Sequence, residues 1–134
     1  MTLTVLRTEG LPLRALEETI LAVHLRALDD NGVPIDLTAN VTEPGNSGGA
    51  SPFVAELYVG PTETPDDAEF VPMAAPIAYR TGESRPVQYR CTLPIGLGGQ
   101  FGTNVVKGSE VFVWLRWTLG SRSERELLAK AEVR

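Results

Sequence analysis

Histidine and cysteine each occur once in the 134 residues, as His24 and Cys91. A lone cysteine excludes an internal disulfide, on which small secreted domains often depend, and so favours a reducing compartment. Zinc needs three or four nitrogen, sulfur or carboxylate ligands, more than one histidine and one cysteine supply. Long apolar runs are missing too: no stretch reaches the roughly 18 residues of a membrane span, and the opening Met1-Thr2-Leu3-Thr4-Val5-Leu6-Arg7 lacks the basic-then-apolar design of a secretory signal. The chain is therefore expected to be made and kept in the cytoplasm, or assembled from there. Positive charge is scarce, with 12 Lys and Arg against 17 Asp and Glu, a net charge of −5 and a pI near 4.9. Such a surface repels phosphate backbones and anionic lipid, which argues against nucleic acid and membrane as the main partner.

What is present is ordinary globular composition, 43% apolar and 22% charged, at a length that suits one domain over residues 1–134. Ten prolines and thirteen glycines leave intervals too short and too alternating for long helices. Residues 19–28 place Leu21, Val23, Leu25 and Ala27 on one face and His24 and Arg26 on the other, the period of a half-buried strand with an outward, solvated histidine. Residues 53–59 repeat the pattern with Phe53, Ala55, Leu57 and Val59 inward and Glu56 and Tyr58 outward. Residues 85–93 do so with Val87, Tyr89, Cys91 and Leu93 inward. Residues 110–119 form the clearest strand, with Val111, Val113, Leu115, Trp117 and Leu119 on one face and the aromatics Phe112 and Trp114 on the other, a face that a long loop or a partner subunit is expected to cover. Residues 33–38 read as a short extended piece, and Pro34 gives it an edge position. The last segment, 127–134, has helix formers after a capping-box spacing at 123–126, but Leu127, Ala129, Ala131 and Val133 alternate, so a closing hairpin is expected there. The whole is expected to be an all-β antiparallel sandwich, immunoglobulin-like or jelly-roll-like, with long loops at 43–52, 60–69 and 94–104.

Each motif that suggests chemistry lacks a necessary part. Gly45-Asn46-Ser47-Gly48-Gly49 is similar to the nucleophile loop of chymotrypsin-like serine proteases, with His24 upstream and Asp29, Asp30 or Asp36 as nominal third members. That family uses two barrels and nearly twice this length, so the run is read as a flexible loop. Gly96-Leu97-Gly98-Gly99-Gln100-Phe101-Gly102 lacks the lysine and hydroxyl of a phosphate loop. The carboxylates at Asp29, Asp30 and Asp36, and at Asp66, Asp67 and Glu69, do not match an EF-hand spacing. Glu56 and Glu110 would have to meet in space to act as a glycosidase pair. No catalytic residue, metal ligand or cofactor site is assigned, and the chain is expected not to be an enzyme.

The run Leu28-Asp29-Asp30-Asn31-Gly32-Val33-Pro34-Ile35-Asp36-Leu37-Thr38 resembles a recurring hairpin of immunoglobulin-like domains in tailed bacteriophages, including the N-terminal domains of baseplate upper proteins. It covers eleven residues, in which a strand ends at an Asp/Asn-Gly turn and returns through Pro-x-Asp-Leu-Thr. The long excursion 43–52 departs from that pattern. The resemblance implies a non-enzymatic virion building block assembled in the host cytoplasm, and a small capsid decoration protein suits a single domain better than a baseplate part. Such proteins imply a homo-oligomer such as a trimer, which clamps a major capsid or tail protein through loops and terminal arms. Phe112, Trp114, Tyr58 and Phe101 are the expected interface residues, because desolvated aromatics dominate binding energetics. The competing class is a glycan-binding sandwich module, which the few aromatics of the long loops do not favour.

Overall fold

The computed structural model describes residues 1–42, 50–79 and 87–134; the glycine-serine run 45–49 and Arg85 lie outside them. The described residues form ten strands: β1 Thr2–Glu9, β2 Glu18–Leu28, β3 Val41–Thr42, β4 Ala50–Ser51, β5 Phe53–Gly60, β6 Val71–Pro72, β7 Ile77–Tyr79, β8 Gln88–Gly96, β9 Glu110–Leu119 and β10 Arg122–Glu132. A single 3-10 turn, Asp67–Glu69, interrupts them.

Two antiparallel four-stranded sheets pack face to face, in the orders β1-β2-β8-β7 and β10-β9-β5-β6, with β3 and β4 forming a separate small ribbon. With that ribbon set aside, the eight remaining strands taken in chain order as A, B, C, C′, D, E, F and G give sheets A-B-E-D and G-F-C-C′. This is the Greek-key order of immunoglobulin-like sandwiches.

Period-two alternation explains the core. Leu21, Val23, Leu25 and Ala27 of β2 and Tyr89, Cys91, Leu93 and Ile95 of β8 face Phe53, Leu57 and Val59 of β5 and Val111, Val113, Leu115 and Trp117 of β9, all buried. Cys91 sits among them as a small hydrophobe, and burial pushes its thiol up to about 12.

Backbone handovers close the open sides of the sandwich. After β6 the chain crosses from one sheet to the other: Met73 N–H donates to Ala55 O at 2.9 Å, and the next amide, Ala74, donates to Thr92 O at 2.9 Å. On the opposite side the end of the chain threads between two loops. Val133 N–H bonds Ser109 O and Arg134 N–H bonds Leu13 O, both at 2.9 Å, which buries Val133 and Leu13.

The 28–38 hairpin forms as expected at its turn, where Gly32 adopts φ +77° and the Asp29 carboxylate accepts from the amides of Asn31 at 2.8 Å and Val33 at 2.9 Å. Its return differs from the expected edge strand, because only a bridge between Leu28 and Pro34 forms. The chain then folds over. The Asp36 carboxylate accepts from Thr38 N–H at 2.9 Å, Leu37 plugs the core, and the Tyr89 hydroxyl donates to Ile35 O at 3.2 Å.

The terminal segment is a strand, but its alternation breaks. A bulge between Leu127 and Ala129 puts Leu127 opposite Trp114 on the outer face, while Ala129 and Ala131 oppose Val113 and Val111 inside. Strand β1, on the edge of the other sheet, carries a bulge between Val5 and Arg7.

Two glycines give a matched test of the loops. Gly10 has φ +100° and a Cβ there would lie 2.8 Å from Ile20 O, whereas Gly32 has φ +77° with nothing within 4 Å. Gly10→Ala is expected to cost about 2–3 kcal/mol and Gly32→Ala about 1 kcal/mol, read from urea midpoints; equal costs would show that the close approach at Gly10 is harmless.

Candidate interaction surfaces

The outer face of the β10-β9-β5-β6 sheet is apolar where a sandwich normally meets water, and the chain covers it with its own loop. Tyr58, only 2% exposed, accepts a hydrogen bond from Thr62 N–H at 3.0 Å, and its ring meets Phe70 and Phe101 at centroid distances of 6.1 and 5.8 Å. Trp114 Nε1 donates to Glu63 O at 3.0 Å. Asn104 Nδ2 donates to Val59 O at 3.0 Å, which ties in the loop that carries Phe101.

A cationic clamp holds the roof. The guanidinium groups of Arg116 and Arg125 both lie over the Phe70 ring, each 4.7 Å from its centroid. Arg116 is bidentate to Glu56, at 3.1 and 2.8 Å, and reaches Asp67 at 2.8 Å; Arg125 bonds Asp67 and donates to Pro65 O at 2.6 Å. Each cation–π contact contributes about 0.5–2 kcal/mol, while ordering each loop residue costs about 1–2 kcal/mol. One anchor would not hold ten residues, so the loop is pinned along its length. Asp67 is held below the usual carboxylate range by the hydrogen bond from Arg125 and the charge of both arginines. Asp66 and Glu69 cap the 3-10 turn reciprocally.

Of the four expected interface residues, the loop takes Tyr58 out of reach. Tyr58 is covered by its own loop and is not offered to a partner; Trp114, Phe112 and Phe101 are half-buried in the same layer, with Lys130 5.5 Å above the Phe112 ring. The terminal arms are also not free, since Met1 and Val133 are buried.

The outer face of the other sheet is different. His24, expected to be solvated, is 3% exposed and is the one polar side chain fully buried among the described residues. Edge strands on both sides reach over it: the ring's Nδ1 bonds the Tyr79 hydroxyl from β7, and Nε2 lies 2.9 Å from a Glu9 carboxylate oxygen on β1. Tyr79 in turn contacts Gln88 Oε1 at 2.8 Å. Burial, then the charge of Arg7, lower the His24 pKa, and together with Arg90 they outweigh the opposing effect of Glu9. Sequence reasoning missed Glu9 and Tyr79. The pairing of β1 with β2, which sets Arg7 opposite His24, is what brings Glu9 there.

The other suspected chemistry comes apart in space. The Asp29 and Asp36 carboxylates cap turns, and Asp30 faces the Met1 amino group at 3.5 Å, so none orients His24. In the glycine loop, Gly96 N–H bonds Gln100 O and Gln100 N–H bonds Pro94 O, both at 2.8 Å, so these amides are spent on a tight reversal and cannot cradle a phosphate. Glu56 pairs with Arg116, whereas Glu110 lies six residues further along β9, about 20 Å away, and contacts Lys130 at 3.4 Å. Glycosidase carboxylates sit within about 10 Å. Among the described residues no three His, Cys, Asp or Glu side chains converge as metal ligands would. Comparison with protein-family models, curated proteins and solved structures yields no match.

Two measurements follow from these surfaces. Phe70→Ala should cost about 3 kcal/mol or more and make the ring of Tyr58 accessible to nitration; a cost under about 1 kcal/mol would mean the roof does not depend on the clamp. For His24, the folded state holds the imidazole neutral, so its contribution is complete above the ordinary pKa of 6.5 and is lost as pH falls through the lowered folded value. The wild-type unfolding midpoint should fall as pH drops below 6.5, before the depressed carboxylates of Asp36 and Asp67 respond below 3.8. A His24→Gln chain should lack that first segment; an identical pH profile in the two proteins would show that His24 does not titrate as placed.

Proposed function

We propose that the chain is a non-enzymatic structural protein of a tailed bacteriophage particle, a capsid decoration protein that self-associates and docks on a major capsid protein. The observation that supports this reading is the 28–38 hairpin standing on an immunoglobulin-like strand order. Asp29 and Asp36 each cap a turn, and Leu37 and Tyr89 fasten the return to the core. The turn residues that carry the resemblance are thus the ones that anchor the segment in this fold. Docking of this kind needs surface rather than catalytic groups. With the termini woven into the sandwich and one sheet roofed, contact falls to the loops and to the open sheet. Glycan binding is less favoured, because Tyr58 and Phe70 lie under cover and Phe101 packs edge-on against Tyr58, so none of these rings stands clear as a stacking platform.

Light scattering on the purified chain should give a closed oligomer, a trimer being the expected case. Mass spectrometry of separated phage heads and tails should find it with the heads. Its presence only in tails would move it to a baseplate or tail role; absence from both fractions, together with a monodisperse monomer that binds a glycan array, would sink the proposal.

A further inference from the structure

One row of side chains spans all four strands of the open sheet. Arg7 of β1 lies opposite His24 of β2, His24 opposite Arg90 of β8, and Arg90 opposite Ile77 of β7. At a strand spacing near 4.8 Å the row is about 14 Å wide. Arg26 lies two residues from His24 on the same face, about 7 Å along the strand.

Among the described residues, Arg26 Nε on this face of β2 is a buried side-chain nitrogen without a hydrogen bond, while His24 Nε2 faces the Glu9 carboxylate. Such an atom calls for an explanation, because buried polar groups in native structures are normally hydrogen-bonded. No described carboxylate pairs with Arg26 or Arg90, although acidic residues outnumber basic ones in the chain. Apolar side chains flank the row, with Ile77 67% and Ile20 51% exposed.

We infer that this face is a docking surface for an acidic segment of a partner protein, whose carboxylates pair with Arg26 and Arg90 while its apolar side chains cover Ile20 and Ile77. Glu9 shows that the surface accepts such a group, since its carboxylate sits 2.9 Å from His24 Nε2 and 3.1 Å from Arg7 Nη2. A protein segment fits better than a phosphate polymer or a lipid surface. Exposed Ile20 and Ile77 beside the arginines can cover apolar side chains of a peptide, whereas they add nothing to contact with a duplex or with charged headgroups. Guanidinium groups paired with carboxylates form strong, directional bonds, so specificity resides in the arginines. The inference deepens the proposed function and takes from it only that the chain works by docking on another protein.

Fluorescein-labelled poly-L-glutamate is the probe, with binding read by anisotropy on the full chain at about 50 mM salt, where exposed charges are weakly screened. The pair Arg26→Gln and Arg90→Gln should weaken binding about tenfold or more, while Arg14→Gln with Lys107→Gln, exposed positions off this face, should change it less than about twofold. Arg90→Glu alone, at an exposed position, carries the test if the Arg26 variant does not fold. Equal weakening by both pairs, no binding of poly-L-glutamate, or tighter binding of duplex DNA or phosphatidylserine vesicles would overturn the inference. Loading of the same variants onto purified heads separates the two ideas. Arginine variants that lose poly-L-glutamate but still load overturn this face and leave the virion role standing. Wild-type chain that binds poly-L-glutamate through these arginines but loads onto neither heads nor tails leaves the face standing and removes the virion role.

Discussion

A strand that is apolar on both faces has to be covered twice, and β9 is such a strand. Its inner row, Val111 to Leu119, is buried against the opposing sheet, but Phe112 and Trp114 project the other way beside Tyr58 of β5. Leaving that layer wet would forfeit roughly 25 cal/mol for each Å² of apolar surface. The chain answers with the segment between β5 and β6, and Phe70 is the residue that brings it down. Arg116 is the hinge of the arrangement, because one guanidinium satisfies Glu56 on the sheet, Asp67 on the loop and the face of Phe70 together.

That solution makes the two faces of the molecule unequal. One sheet is sealed by aromatic and cation–π contacts that leave few groups unsatisfied. The other keeps a polar row with a buried histidine at its centre, where Glu9, Tyr79 and Gln88 draw on all four strands. Desolvation on this face keeps the ring neutral against the pull of Glu9, so its stability and its charge are linked.

The parts of this structure legible in the sequence are those governed by period two. Strands β2, β5, β8 and β9 could be read with their inward rows, since Leu21 to Ala27 or Val111 to Leu119 fit no other period, and the Asn31-Gly32 turn could be read from its need for a positive φ. Phe112, Trp114 and Tyr58 could be read on an outer face in need of cover by a loop or a partner subunit, but alternation says which side a ring points to and not which of the two lies over it. The solvated histidine failed for the same reason: Glu9 and Tyr79 are 15 and 55 residues from His24, and only the pairing order brings them to it. Leu127 was put on the inner row because a bulge, which shifts parity by one residue, leaves no signature in the pattern itself.

Both long edge strands, β1 and β10, carry a bulge, and charged side chains such as Arg7, Glu124 and Lys130 line them. An edge interrupted in this way is a poor template for another strand, so copies of the chain brought close together do not extend one another's sheets into a fibre. Contacts between copies are thereby left to side chains rather than to shared backbone hydrogen bonds.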